Sequence, residues 1–82
     1  MSWFRPKTKY VYKLDIPDMR CGMCEAHIEN IIRKTVKVKK VKANRFKNLA
    51  IIYSNDSLDI DSIKLEIEKT GYRVLGIHKE EH

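Results

Sequence analysis

Along residues 10–16 apolar and polar side chains alternate. Tyr10, Tyr12, Leu14 and Ile16 point one way, with Val11, Lys13 and Asp15 opposite. This is the period of a half-buried strand, and Pro17-Asp18 closes it. From Cys24 the period changes: Cys24, Ile28, Ile31 and Ile32 share one helical face while Glu25, Glu29, Asn30, Arg33 and Lys34 fall elsewhere, which predicts a helix to about residue 34. Glu25 in its first turn and Arg33 and Lys34 in its last complement the helix dipole. Val36, Val38, Val41 and Ala43 mark a second strand, in which Lys39-Lys40 disturbs the alternation and calls for a bulge or a late start. Residues 44–48 turn the chain with Lys47-Asn48 at the tip. Leu49, Ile51 and Tyr53 then form one face of a third strand and Ala50 and Ile52 the other, so this strand is expected to be central and covered. Asp59 is placed to cap a second helix lined by Ile60, Ile63 and Ile67, with Leu58 and Ile63 at staple spacing, and Gly71 ends it. Residues 72–77 read as a last strand and 78–82 as a polar tail.

The order strand, helix, strand, strand, helix, strand predicts an α+β, ferredoxin-like βαββαβ sandwich, an antiparallel four-stranded sheet with two helices on one face. In that arrangement the loop after the first strand and the loop before the last lie at the same edge of the sheet, which brings Tyr72 towards residues 21–24.

Those residues carry the chemistry. Met19-Arg20-Cys21-Gly22-Met23-Cys24 holds both cysteines and lies where the first strand gives way to the helix. Two thiols at this spacing can converge on one ion when the first sits in the loop and the second on the opening helical turn. A helix N-terminus offers unpaired N–H groups and a partial positive charge, which favour thiolate. Two soft anionic ligands without an obvious third suit Cu(I) better than a closed zinc site, which takes four ligands. A disulfide between them would close too short a loop to restrain the unfolded chain.

With 82 residues the chain makes one domain. Its apolar runs are a few residues long, too short to span or enter a bilayer, and residues 1–10 lack the apolar core of a signal peptide, so a cytoplasmic protein is expected. The net charge of +6 is concentrated: Arg33, Lys34, Lys37, Lys39, Lys40, Lys42, Arg45 and Lys47 run without an intervening acid, and Asp56, Asp59, Asp61, Glu66 and Glu68 gather later. Such a surface steers an acidic partner or nucleic acid, or simply keeps a strand face solvated.

Asp18 to Cys24, followed by Ile28 and Ile32, Val38, Val41 and Asn44, and then Ile67-Glu68-Lys69-Thr70-Gly71-Tyr72, resembles the heavy-metal-associated domain family: copper chaperones, the amino-terminal domains of copper-transporting P-type ATPases, and mercury-binding relatives. The resemblance spans residues 9–79, leaving 1–8 and 80–82 as tails. It implies that Cys21 and Cys24 are the metal ligands, that Met19 packs beneath the loop without binding metal, and that Tyr72 shields the site. Asp18 and Lys37 stand where the family often has glycine, and the turn after Asn44 is a residue short. Arg20 occupies a usually small position; Zn(II)-preferring relatives often have aspartate there, so its absence leans the site towards a monovalent soft ion. Arg20 is also expected to lower the thiolate pKa by proximity.

The resemblance implies a carrier, not an enzyme. It would take Cu(I), or alternatively Hg(II), Zn(II) or Cd(II), and hand the ion to a metal-transporting P-type ATPase or similar acidic protein partner. A metal-bridged homodimer is a further arrangement such a site permits. Glutaredoxin-like redox proteins share the length and the early CxxC but need a cis-proline facing the cysteines, and Pro6 and Pro17 both precede them. A nucleic-acid module of the same fold would need stacking aromatics on the first and third strands, for which Tyr12 and Tyr53 are the candidates. Met23, His27, His78 and His82 read as exposed residues, and Trp3 and Phe4 as tail aromatics.

Overall fold

A computed structural model describes residues 9–38 and 40–81. It contains β1 (Tyr10–Asp15), α1 (Gly22–Thr35), β2 (Lys40–Asn44), β3 (Leu49–Ser54), α2 (Ile60–Lys69) and β4 (Gly76–Glu81). The strands form one antiparallel sheet in the order β2-β3-β1-β4. Opposite strand residues share a face, so Tyr12 with Ile52 and Leu14 with Ala50 fix which side the helices cover. Onto that side pack Ile28 and Ile32 of α1 and Ile63 and Ile67 of α2, joined by Val41, Ala43, Ile16, Met19 and Val74 in one core. This is the ferredoxin-like architecture the periodicities predict.

Each helix begins and ends for a local reason. The Asp59 carboxylate accepts the Ser62 N–H at 3.2 Å and starts α2. Leu58 packs against the core beside it, as the staple spacing requires. Past Thr70, Gly71 takes φ +102°, a left-handed conformation that glycine adopts without penalty, and its N–H bonds the Glu68 carbonyl at 3.1 Å. In the β2–β3 turn the Asn44 side chain accepts the N–H groups of Phe46 and Lys47, and Asn48 supplies the positive φ of 57°. The turn tip therefore lies where the sequence puts it.

Three expectations need correction. β2 starts at Lys40, not at Val36; Val36 caps α1 and, with Val38, packs on the core from the connection. β3 is central, but only Ala50, Ile52 and Ser54 are buried, while Leu49, Ile51 and Tyr53 are half-exposed on the side away from the helices. β4 begins at Gly76 and runs through Glu81, taking in residues assigned above to a polar tail. As an edge strand it buries neither face, so it shows no apolar alternation; β1 holds it by its backbone ladder, with the Lys13–Glu80 ion pair at 3.2 Å across the two strands.

Candidate metal site

The loop after β1 ends in Cys21, which is the N-cap of α1 in an extended conformation, and Cys24 lies in the first turn. The Cys21 side chain makes no capping bond; its carbonyl instead accepts the N–H groups of Cys24 and Glu25 at 3.1 and 3.2 Å. Both cysteines are free, with Cys21 exposed and Cys24 half-buried, and their sulfurs approach to 3.7 Å. They face each other across the helix mouth, as the spacing predicts. Met19 is buried in the core below them and Met23 is 83% exposed, so neither joins the pair.

The Cys24 thiol is lowered from 9.0 to about 7, first by the Arg20 backbone N–H, then by the Tyr72 hydroxyl and by Cys21. This corrects the expected role of Arg20: its amide stabilises the thiolate, and its guanidinium is not among the causes. Tyr72 is pushed up to about 12, chiefly because its hydroxyl proton is engaged by Cys24. The same hydroxyl lies 3.4 Å from His27 Nδ1, with the two rings edge to face. Tyr72 thus covers the Cys24 side of the site, and His27 backs Tyr72.

Two ion pairs set this geometry, and neither was visible in the sequence pattern. Asp18 accepts the Arg73 N–H at 2.8 Å and its guanidinium at 3.1 and 3.0 Å, fastening the start of the cysteine loop to the residue beside Tyr72. Those bonds hold the Asp18 carboxyl below the usual range. Aspartate in place of the family's frequent glycine therefore has a structural task. Glu25 accepts the Arg45 N–H at 2.7 Å and its guanidinium at 2.9 Å, and Glu29 accepts the Ala43 N–H at 2.9 Å. Together they pin the first half of α1 to the edge strand β2 and to its turn.

The other candidates lie apart from the sulfurs. His78 sits on β4 with Nε2 3.7 Å from the Asp15 carboxylate, and His82, Trp3 and Phe4 fall outside the described residues. Among the described residues no cluster of three or more His, Cys, Asp or Glu side chains could hold a metal ion. Of the described residues of the basic run, Arg33 and Lys34 end α1, Lys40 and Lys42 lie on β2, and Arg45 and Lys47 stand in the β2–β3 turn at the site end, where Arg45 is bound to Glu25. Tyr12 and Tyr53 cannot form a joint stacking surface, because Tyr12 is 1% exposed on the helix side, where its hydroxyl accepts the Leu58 N–H, while Tyr53 lies on the opposite face.

An open thiol pair at the mouth of the first helix of a ferredoxin-like frame is the arrangement of a small metal-binding domain. The sequence pattern of the heavy-metal-associated domain matches residues 13–73, and the chain belongs to that family. Among solved structures it is similar to a heavy metal binding protein from Thermotoga maritima, with TM-score 0.71 and 20% identity over 85% of this chain and 98% of that one. It is similar to the N-terminal domain of ZntA in its Zn(II) form, with TM-score 0.72 and 18% identity over 82% and 90%. It also matches the yeast copper transporter domain Ccc2a, solved in apo and Cu(I)-loaded states, with TM-score 0.70 and 25% identity over 82% and 96%. No curated protein sequence matches the chain.

Proposed function

We propose that this domain carries Cu(I) between Cys21 and Cys24 and passes it to a partner that presents a similar thiol pair. The observation that carries this reading is the pair itself: two sulfurs 3.7 Å apart, one of them lowered to a pKa of about 7, at a helix N-terminus whose N-cap side chain makes no capping bond. Soft sulfur donors select a soft cation, and a low-coordinate ion needs no further protein ligand.

Transfer follows from exposure. An incoming thiolate adds to the bound ion from the open Cys21 side, the ion is briefly held by three sulfurs, and one of the original two leaves. No electron is exchanged, and the domain supplies no catalytic acid, base or nucleophile. Arg20 and Lys47, with the lysines of β2 along the flank, favour an acidic partner surface such as that of a metal-transporting P-type ATPase.

Geometry gives a second reading some support. With metal–sulfur bonds of about 2.3 Å, sulfurs at 3.7 Å subtend roughly 107°, close to tetrahedral, and a straight sulfur–metal–sulfur unit requires them to part by about 0.9 Å. A Zn(II) or Cd(II) cargo would exploit the bent form and would draw its remaining ligands from solvent or partner, whereas Hg(II), which takes two thiolates in a line, would need the same parting as Cu(I).

Titration of the reduced chain with Cu(I) against a competing chelator, in parallel with Zn(II), separates the readings. The copper proposal expects one tightly held Cu(I) per chain, lost when both cysteines become serine. Equal binding by the double serine variant would refute it.

A further inference from the structure

Tyr72 reaches the cysteines from a stretch of chain that has no regular structure to hold it. Between α2 and β4 the backbone is neither helix nor strand; Gly71 closes α2 and Val74 is buried in the core, so Tyr72 and Arg73 form an arch between them. The Tyr72 hydroxyl is nonetheless bonded to Cys24 and lies 3.4 Å from His27 Nδ1, with the two ring centroids 5.8 Å apart. Cys24 is half-buried and Cys21 exposed, so the ring makes the two sulfurs unequal. A tyrosine on an arch keeps that pose only where the backbone beneath it is fixed, since its side chain has other staggered positions to adopt.

We infer that Asp18 is a positioning residue for this lid: through Arg73 it fixes Tyr72 over Cys24 and so confines ion exchange to the Cys21 side. The inference rests on the reading of the two cysteines as an ion carrier. Both carboxylate oxygens of Asp18 are engaged by Arg73. Oδ2 accepts the backbone N–H at 2.8 Å and Nε at 3.1 Å, and Oδ1 accepts Nη2 at 3.0 Å. The first bond holds the peptide that joins Tyr72 to Arg73, and the fork sets its direction with a planar match that a lysine could not reproduce. At the far end of the arch the Leu75 N–H bonds the Asp15 carbonyl at 2.9 Å. Tyr72 is thereby tied, through one residue, to the loop that carries Cys21, and lid and sulfurs keep one geometry. The side chains of Arg73 and Asp18 are 66% and 24% exposed, so the pair adds little to global stability. Its effect is local, on where the ring stands. With the ring in place an incoming thiolate meets the ion beside Cys21; with the arch released it also meets it beside Cys24.

NOEs between the Tyr72 and His27 rings in the metal-free chain read the lid directly. They are expected in the unmodified protein and should be lost in Asp18→Ala, which removes all three bonds, while the Tm falls by no more than about 5 °C. Removal of Cu(I) from the loaded chain by bathocuproine disulfonate, followed by absorbance, reads the consequence. Asp18→Ala should quicken removal about threefold and quicken reloading as well, so that affinity changes less than either rate. Tyr72→Ala should quicken removal at least as much, and adding Asp18→Ala to it should bring no further gain, because both act through the same ring. Ring contacts that survive in Asp18→Ala, an unchanged removal rate, a further gain on top of Tyr72→Ala, or a larger fall in Tm overturns the inference. The ring contacts need no metal. A chain that shows the latch but binds no Cu(I) would therefore sink the carrier reading alone, and one that binds Cu(I) under a lid indifferent to Asp18 would sink only the latch.

Discussion

The two helices of this domain begin in opposite ways. At α2 the Asp59 carboxylate takes the Ser62 N–H and also accepts the Ser62 hydroxyl at 2.7 Å, closing the terminus with the chain's own atoms. At α1 the corresponding position is Cys21, whose side chain makes no capping bond and whose sulfur faces Cys24 instead. The first terminus therefore forgoes a cap worth about 1 kcal/mol and keeps its positive end for sulfur. The contrast shows where stability has been given up for chemistry.

Substitutions can invert that contrast. Cys21→Asp should convert α1 to the α2 pattern: ion capture is lost in a competition titration, while urea unfolding of the metal-free protein shows a gain of about 0.5–1 kcal/mol. Asp59→Ala is the mirror experiment. It should cost about 1 kcal/mol in the same unfolding assay and leave metal affinity unchanged. A smaller effect separates the lid from the pair: Tyr72→Phe removes a hydrogen bond to Cys24, so its pKa rises by about half a unit and its alkylation by iodoacetamide at neutral pH slows about twofold, as read by mass spectrometry.

The pH response follows from the same thiol. Cys24 in the folded chain titrates near 7 against an ordinary 9.0, so the folded state holds fewer protons than the unfolded state between those values. The associated stabilisation is present in full above the unfolded value and disappears as pH falls through about 7. Apparent metal affinity should likewise weaken as pH drops below 7, because a proton then competes for the sulfur. A chelator competition run from neutral to mildly acid pH checks the sign.

Much of this was legible in the chain. The period changes at Tyr12, Ile28, Ile52 and Ile63 place the strands and helices, Asp59 marks the second helix start, and the order of elements brings Tyr72 to the cysteines. What the pattern missed has a physical cause in each case. β4 is an edge strand with no buried face, so His78 to Glu81 carry no alternation to read. The Asp18–Arg73 and Glu25–Arg45 links join residues 55 and 20 positions apart, and long-range ion pairs leave no local signature. Glu25 reads in sequence as a dipole-complementing acid, whereas its carboxylate is committed to the β2–β3 turn. The lowered pKa of Cys24 comes first from a backbone amide, a group every residue carries, and only the folded loop determines that Arg20 presents it.

The central claim is that an open sulfur pair, and nothing else on this chain, holds the ion. X-ray absorption at the copper edge of anaerobically loaded protein tests it most directly. The account predicts a first shell of two sulfur scatterers in the monomer, with no nitrogen or oxygen at bonding distance. A shell dominated by nitrogen or oxygen, or one unchanged when Cys21 and Cys24 are replaced by serine, would contradict it.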